Sequence, residues 1–255
     1  MPGSTADLGT YPWTARTGGH LTRADERALL GPLLRAHVVN AVGRVAMAAH
    51  LSSGRRAVVE PDTLVPPSSA LTRAAEECAR RRLPAVLLNH SFRTYTFGAA
   101  LGALEDVDVD RELLFAAAML HDIGLADPPR SADFTLTSAR AARDVAEAVG
   151  LSSAATDTVR TAITLHHSPG VTLDHGPVAY LLSAGAGVDV LGLKSWQLPP
   201  ALLQRAVTDR PRLGFKREFG RLWRSEAAAV PAGRARYLRR YGAFGAAIRL
   251  APFPD

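Results

Sequence analysis

Three histidines, two aspartates and an arginine fall on the apolar stripes of helical segments, where ionisable side chains need a compensating partner. In the stretch 84–103, Val86, His90, Arg93 and Phe97 recur at i, i+4, i+7 and i+11, so His90 and Arg93 face inward together. In 110–124, Leu114, Ala118 and His121 form one line, and Phe115, Ala118 and Asp122 form its neighbour. Leu182, Gly185 and Asp189 share a face further along, and Val159, Ile163 and His166 share one on the segment before it. A lone carboxylate in an apolar interior costs several kcal/mol even after relaxation. Two of them among two or three imidazoles call for a cation. With Zn²⁺ or Fe²⁺, two aspartate charges bring the ligand shell to neutrality. Imidazole nitrogen with carboxylate oxygen and no thiolate suits zinc, iron or manganese, not a structural zinc knot.

Each residue taken singly also has a plainer reading. A histidine on a helix stripe is commonly a hydrogen-bonded core residue, and an aspartate at a helix end is commonly a local cap. Asp122 fits the second reading poorly, because the dipole at a helix C-terminus disfavours an anion. Arg93 can equally form a buried pair with an aspartate or with helix carbonyls. By its spacing from Arg160, His167 is expected on the opposite face; Tyr95 is off the His90 stripe and is expected to pack.

The elements that must position these groups are legible as helices. Arg23 to His50 carries Leu29, Leu33 and Leu34, then Val38, Val42 and Val45. Residues 53–69 hold three prolines and read as a loop, after which Ser69 caps a helix that stops before Pro84. Further helices are expected from about Pro84 to Ala103, from Asp110 to Gly124, from Thr137 or Ser138 to Gly150, from Ser152 or Ser153 to about His167, and from Pro177 to about Val190. Pro199 and Pro200 open another, and Phe215, Phe219, Leu222 and Trp223 mark a last one at helical spacing. No strand-length alternation is convincing. The expectation is an all-α single domain in four stretches. Residues 1–22 are a flexible lead-in, 23–82 hold N-terminal helices packing on the core, 83–195 form the metal-binding core, and 196–255 are basic helices completing the same domain.

The stretches NHSFRTYTFG (89–98), AAMLHDIGL (117–125), AITLHHSPG (162–170) and SAGAGVDVLGLK (183–194) resemble, in that order, the motifs of HD-domain proteins. The form H-S-x-R-x-Y, with a later H-x-S-x-G and a final G-x-D-V-x-G, is similar to the cyanamide hydratase branch of that superfamily. The resemblance covers roughly residues 60–220 and implies an HD-domain helical bundle. Carried over residue by residue, it makes His90, His121, Asp122 and Asp189 the ligands of one divalent transition metal, zinc first, with iron or manganese as alternatives. It also implies a hydro-lyase that adds water to a small nitrile such as cyanamide, giving urea. A divalent ion with an open coordination position can supply nucleophilic water at neutral pH. Arg93 and His166 are then the catalytic candidates, Arg93 to orient substrate or stabilise charge and His166 to carry a proton. Lys194 is a substrate-binding candidate, with a surface lysine as its plainer reading. Two departures stand out. Signalling-type HD phosphodiesterases often carry a lysine after HDIG, where this chain has Leu125. Dinuclear members add two histidines between HD and the last Asp, an interval that here holds His166, His167 and His175, the last in a loop expected to face solvent. One metal is the favoured count.

Composition bounds the remaining classes. At 255 residues, 47% hydrophobic and 21% charged, the chain can bury a full core. The single Cys78 excludes an internal disulfide. The start MPGSTADLGTYPW lacks a basic region followed by an apolar run, and no apolar stretch approaches the roughly 20 residues that cross a bilayer. A cytoplasmic enzyme without a membrane partner is expected. The net charge of +6 is concentrated in 201–250, where twelve Arg/Lys stand against three Asp/Glu. All but two of the 30 basic residues are arginine, which reads as coding bias, and nucleic acid is not the expected partner. A small molecule is, and the Leu/Val-rich helix 28–47 leaves a homo-oligomer open. Two other functions compete with nitrile hydration: an HD phosphohydrolase acting on a nucleotide or other phosphomonoester, with Arg93 and the basic helices holding phosphate, and a non-catalytic HD ligand-binding module.

Overall fold

The computed structural model describes residues 7–127 and 131–255. Among these, helices α1 (Tyr11–Thr17), α2 (Arg23–Ala48), α3 (Pro61–Leu64), α4 (Ala70–Arg82), α5 (Ala85–Leu104), α6 (Arg111–Leu120) and α7 (Ile123–Ala126) are followed by α8 (Thr135–Ala148), α9 (Ser153–Leu165), α10 (Pro177–Leu191), α11 (Pro200–Asp209), α12 (Phe215–Ala229), α13 (Arg234–Tyr241) and α14 (Phe244–Arg249). No strand is present among the described residues; the only β contact is an isolated bridge between His20 and Gly233. The fold is all-α, and no described helix is long and apolar enough to cross a membrane.

Helix starts follow local chemistry. The Ser69 hydroxyl accepts from Thr72 N at 3.2 Å, and the Asp110 carboxylate accepts from Glu112 N and Leu113 N at 3.0 and 3.1 Å. Such caps are each worth about 1 kcal/mol. Ser152 caps α9 through Ala155 N, and Pro177 opens α10.

Helices α5 and α10 make the most extensive contact in the bundle, and small residues permit it. A Cβ on Gly98 would sit 2.8 Å from the Leu181 carbonyl oxygen, and one on Gly185 would collide with the Thr94 carbonyl. The two backbones therefore touch, which brings His90 and Asp189 side by side. Helix α6 crosses α5 and α10 with Leu114, Phe115 and Met119 fully buried.

The structure differs from the sequence expectation in three places. The lead-in is not loose over its described part: α1 packs on α8 and α9 with Leu8, Trp13 and Thr14 buried, because Trp13 supplies apolar area that short helix can anchor with; residues 1–6 lie outside the described chain. The helix expected to run from Asp110 to Gly124 ends at Leu120, and the His121–Asp122 pair forms the corner before α7. Gly124 allows this corner, since any Cβ there would strike the Phe134 carbonyl oxygen. Finally, α2 turns only Leu29, Leu33 and Gly43 inward and exposes Leu34, Val38, Val42 and Val45.

Gly185→Ala should separate α5 from α10 and lower stability by about 1–3 kcal/mol or more. Gly31→Ala, in a helix interior with nothing within 4 Å of the added Cβ, should raise it by about 0.5–1 kcal/mol. Urea denaturation of the two variants checks both signs.

Candidate metal centre

His90 sits in the second turn of α5, buried between α10 and α12. Its Nδ1 lies 2.7 Å from Asp189 Oδ2. A carboxylate can only accept, so Nδ1 carries the proton and Nε2 is a bare lone pair. His121, at the end of α6, places Nδ1 2.7 Å from the Ala118 carbonyl oxygen, and His166, at the end of α9, places Nδ1 2.7 Å from the Ile163 carbonyl oxygen. The same reasoning leaves Nε2 of each unprotonated and aimed inward. These three lone pairs converge on Asp122: the Nε2 atoms of His121 and His90 are 3.4 and 3.5 Å from its Oδ2, and that of His166 is 3.7 Å from its Oδ1. His90 Nε2 and His121 Nε2 themselves are 3.2 Å apart.

The cluster is therefore made of acceptors with no donor. Both carboxylate oxygens of Asp122 are buried without a hydrogen-bond partner, an arrangement that costs several kcal/mol unless a positive charge is supplied. One extra proton could satisfy a single contact, whereas a divalent cation satisfies all of them. His90, His121 and Asp122 present donor atoms all within 4.8 Å of one another, the reach of one shared ion. Outward Nδ1–H bonds to a carboxylate or carbonyl are also the arrangement that orients imidazole ligands.

Burial and the cluster's own charges shift these groups in different directions. Burial drives His90 toward its neutral form and His166 well below the usual histidine range. At His121 the same burial is outweighed by Asp122, which pulls the ring upward. Burial alone would raise the Asp122 carboxyl; His121, His90 and His166 reverse this and hold it well below the usual carboxylate range.

Asp189 stands apart from this set. Its Oδ1 accepts from Arg93 Nε at 2.8 Å and Arg212 Nη1 at 2.6 Å, and its Oδ2 accepts from Arg93 Nη2 and His90 Nδ1, both at 2.7 Å. The structure thus brings three of the four expected ligands together and puts Asp189 behind His90. The charge balance changes with it, because the negative charge of Asp189 is taken up by two guanidiniums. Arg93 is fully buried and spends its remaining donor on the Arg210 and Pro211 carbonyls, so it braces Asp189 and does not face a cavity. Arg212, in the loop before α12, carried no sequence signal, since it lies outside any periodic stripe.

The other expectations divide. Tyr95 packs edge-on against Phe115. Lys194 is far from the cluster in its bonding: it pairs with Glu105 at 2.6 Å and with the Tyr180 hydroxyl, tying α5 to α10 near the surface. His175 accepts from Thr172 N in a short loop turn. His167 does not point to the opposite face, because α9 ends at Leu165 and helical spacing no longer applies to it; it lines the same cavity as His166.

That cavity, of about 130 Å³, has the His90–His121–Asp122 cluster among its lining residues. Leu33 and His37 of α2, Ala186 and Val190 of α10, and Phe219 and Trp223 of α12 also line it. Among the described residues no arginine or lysine does.

Residues 87–209, from the start of this histidine-bearing helix to the end of α11, match the family of HD domains. The chain carries an HD domain. The HD family comprises metal-dependent hydrolases, in keeping with the cluster built around the HD corner of His121 and Asp122. Over 74 residues the chain is 36% identical to cyanamide hydratase DDI2 and to cyanamide hydratase DDI3 of Saccharomyces cerevisiae. That stretch is 28% of this chain and 31% of each relative, so less than a third of either relative's length is matched.

Two outcomes follow from this geometry. Asp189→Asn, which keeps shape but removes the charge behind His90, should weaken metal affinity by about 10–100-fold while leaving the stoichiometry intact; chelator competition reads this directly. Glu226, buried on α12, has its carboxyl raised to about 8, by burial first and then by Asp133. Its folded-state value exceeds its unfolded one of about 4.3, so its contribution to stability is complete at low pH and is lost as pH climbs toward 8. The Tm of Glu226→Gln minus that of the wild type should therefore rise between pH 5 and pH 8; a difference that falls with rising pH would contradict this assignment.

Proposed function

We propose that this chain is a metal-dependent HD enzyme that adds water to a small nitrile, cyanamide being the first substrate to test, to give urea. The observation that carries the proposal is the acceptor-only cluster of three imidazoles around an unpartnered carboxylate, open to a small apolar cavity. His90, His121 and Asp122 would hold one divalent ion, zinc first and iron or manganese as alternatives. When bound, such an ion supplies water activated toward attack at neutral pH. His166, with its Nε2 next to Asp122 Oδ1, is placed to carry the proton that this water gives up. Asp189, Arg93 and Arg212 hold the His90 ring in the tautomer that binds metal. Phe219 and Trp223 keep bulk water from the reacting carbon.

The cavity volume supports a substrate of few atoms. Sites for drug-sized ligands run to about 300–1,000 Å³, well above the space available here. The arginines that a phosphohydrolase would need are committed elsewhere: Arg93 and Arg212 to Asp189, and Arg234 to Asp133. A phosphate would enter an apolar cavity without a cationic side chain. The partial identity to two cyanamide hydratases favours the nitrile on independent grounds.

Zinc-loaded protein incubated with cyanamide should release urea, and a chelator should abolish the release. A parallel panel of nucleotides and sugar phosphates, read for inorganic phosphate, should stay at background. Phosphate release without urea would replace this reading with phosphomonoester hydrolysis.

A further inference from the structure

Helix α2 is the longest of the described helices, yet little of the bundle holds it. Among the described elements only the short turn Ser195–Gln197 packs on it to any extent, with Trp196 lying on Gly43. The inner face of α2 gives Leu29 and Leu33 to the core, and Leu33 and His37 also line the metal cavity. Its outer face is apolar. Leu34, Val42 and Val45 are 66%, 66% and 68% exposed, and Leu30 and Val38 are 46% and 55% exposed.

A helix with this sequence is not maintained by its own propensity. Val38, Val39, Val42 and Val45 are β-branched, which disfavours the helical state, and Gly31 and Pro32 weaken its first half. In proteins such a helix is held mainly by burying an apolar face. Here the most apolar face is the one turned outward. With the exposed Ala41 among them, the five side chains cover several hundred Å², a patch that monomers rarely expose and that approaches the roughly 800 Å² each partner buries in a standard interface.

The charges bordering the patch decide what fits it. No Asp, Glu, Lys or Arg lies between Arg35 and Arg44. A parallel copy of α2 would set Arg27 and Arg35 against their own counterparts. An antiparallel copy centred on Val38 instead sets Arg35 opposite Ala41 and Arg27 opposite Ala49, and both alanines are exposed. Leu34 then meets Val42, and the two helix dipoles oppose each other. A two-fold pairing requires this self-complementarity, in which each patch matches its own reverse. A lipid surface fits less well. Helices that lie on bilayers combine aromatic anchors with a strongly basic polar face, whereas α2 has no Phe, Tyr or Trp and carries Asp25 and Glu26 in its first turn. We propose that α2 is a dimer interface, pairing antiparallel with α2 of a second copy of this chain about a two-fold axis at Val38. Each copy then backs the helix that walls the other's metal cavity.

Sedimentation velocity and hydrogen exchange test the pairing without reference to activity. Wild type at micromolar concentration should sediment with the mass of two 27.1 kDa chains. Val38→Glu and Val38→Lys alter a side chain outside the core, and circular dichroism should match the wild type for both. Each brings like charges together at the axis and should weaken the pair by about 100-fold or more. An equimolar mixture of the two variants should restore the dimer. Amides 30–45 should exchange slowly in the wild type and in the mixture, and faster in either variant alone. The proposal is overturned by a monomeric wild type, by variants that each remain dimeric, or by a mixture that stays monomeric. A dimer whose 30–45 amides exchange as fast as those of the variants overturns it too, because the contact then lies elsewhere. Monomeric wild type that cosediments with phosphatidylglycerol vesicles would assign the face to lipid instead.

Discussion

Everything in this bundle is arranged around a buried carboxylate to which the protein offers no hydrogen-bond donor. Asp122 is buried at the corner between α6 and α7, and the side chains turned toward it offer lone pairs. Burying such a group without a partner is costly, and a cation offsets that cost. His90 comes from α5 and His121 and Asp122 from the corner between α6 and α7, and so an ion held there would tie together elements far apart in sequence. Metal affinity at such a site would be a part of folding free energy.

The geometry of that corner is set by contacts that do no chemistry. Gly98 and Gly185 let α5 and α10 touch backbone to backbone, and Gly124 lets the Phe134 carbonyl press on the turn after Asp122. Asp189 then fixes the His90 ring from behind, with two arginines neutralising it. One buried carboxylate is satisfied entirely by the protein, and the other is left for the ion. This division between Asp189 and Asp122 is what a charge count from sequence alone misjudges, because it treats both aspartates as equivalent.

The sequence made the helices and the inward stripes readable. His90 and Arg93 share a face as their spacing requires, and Ser69, Asp110, Ser152 and Pro177 mark helix starts where their chemistry places them. What could not be read were the helix ends. Periodicity runs through His121 and Asp122 without showing that α6 stops before them, and it assigns His167 to the wrong face because α9 has already ended. Arg212, Asp133 and Arg234 reach buried carboxylates or imidazoles from loop or near-terminal positions, where no repeat pattern distinguishes them from the surrounding arginine-rich surface. Lys194 shows the converse: a motif position whose side chain is satisfied by Glu105 and Tyr180.

The cavity is lined by the acceptor set of His90, His121, Asp122 and His166 and by His167 beside it. Its small volume and apolar lining restrict what can enter more than any single polar contact does. The most direct test of the account is elemental analysis of the purified wild type beside Asp122→Asn, both confirmed as folded by circular dichroism. The account predicts close to one equivalent of a divalent transition metal in the wild type and almost none in the variant. A wild type that takes up no ion even after exposure to zinc, iron and manganese, or a variant that keeps its full equivalent, would contradict it.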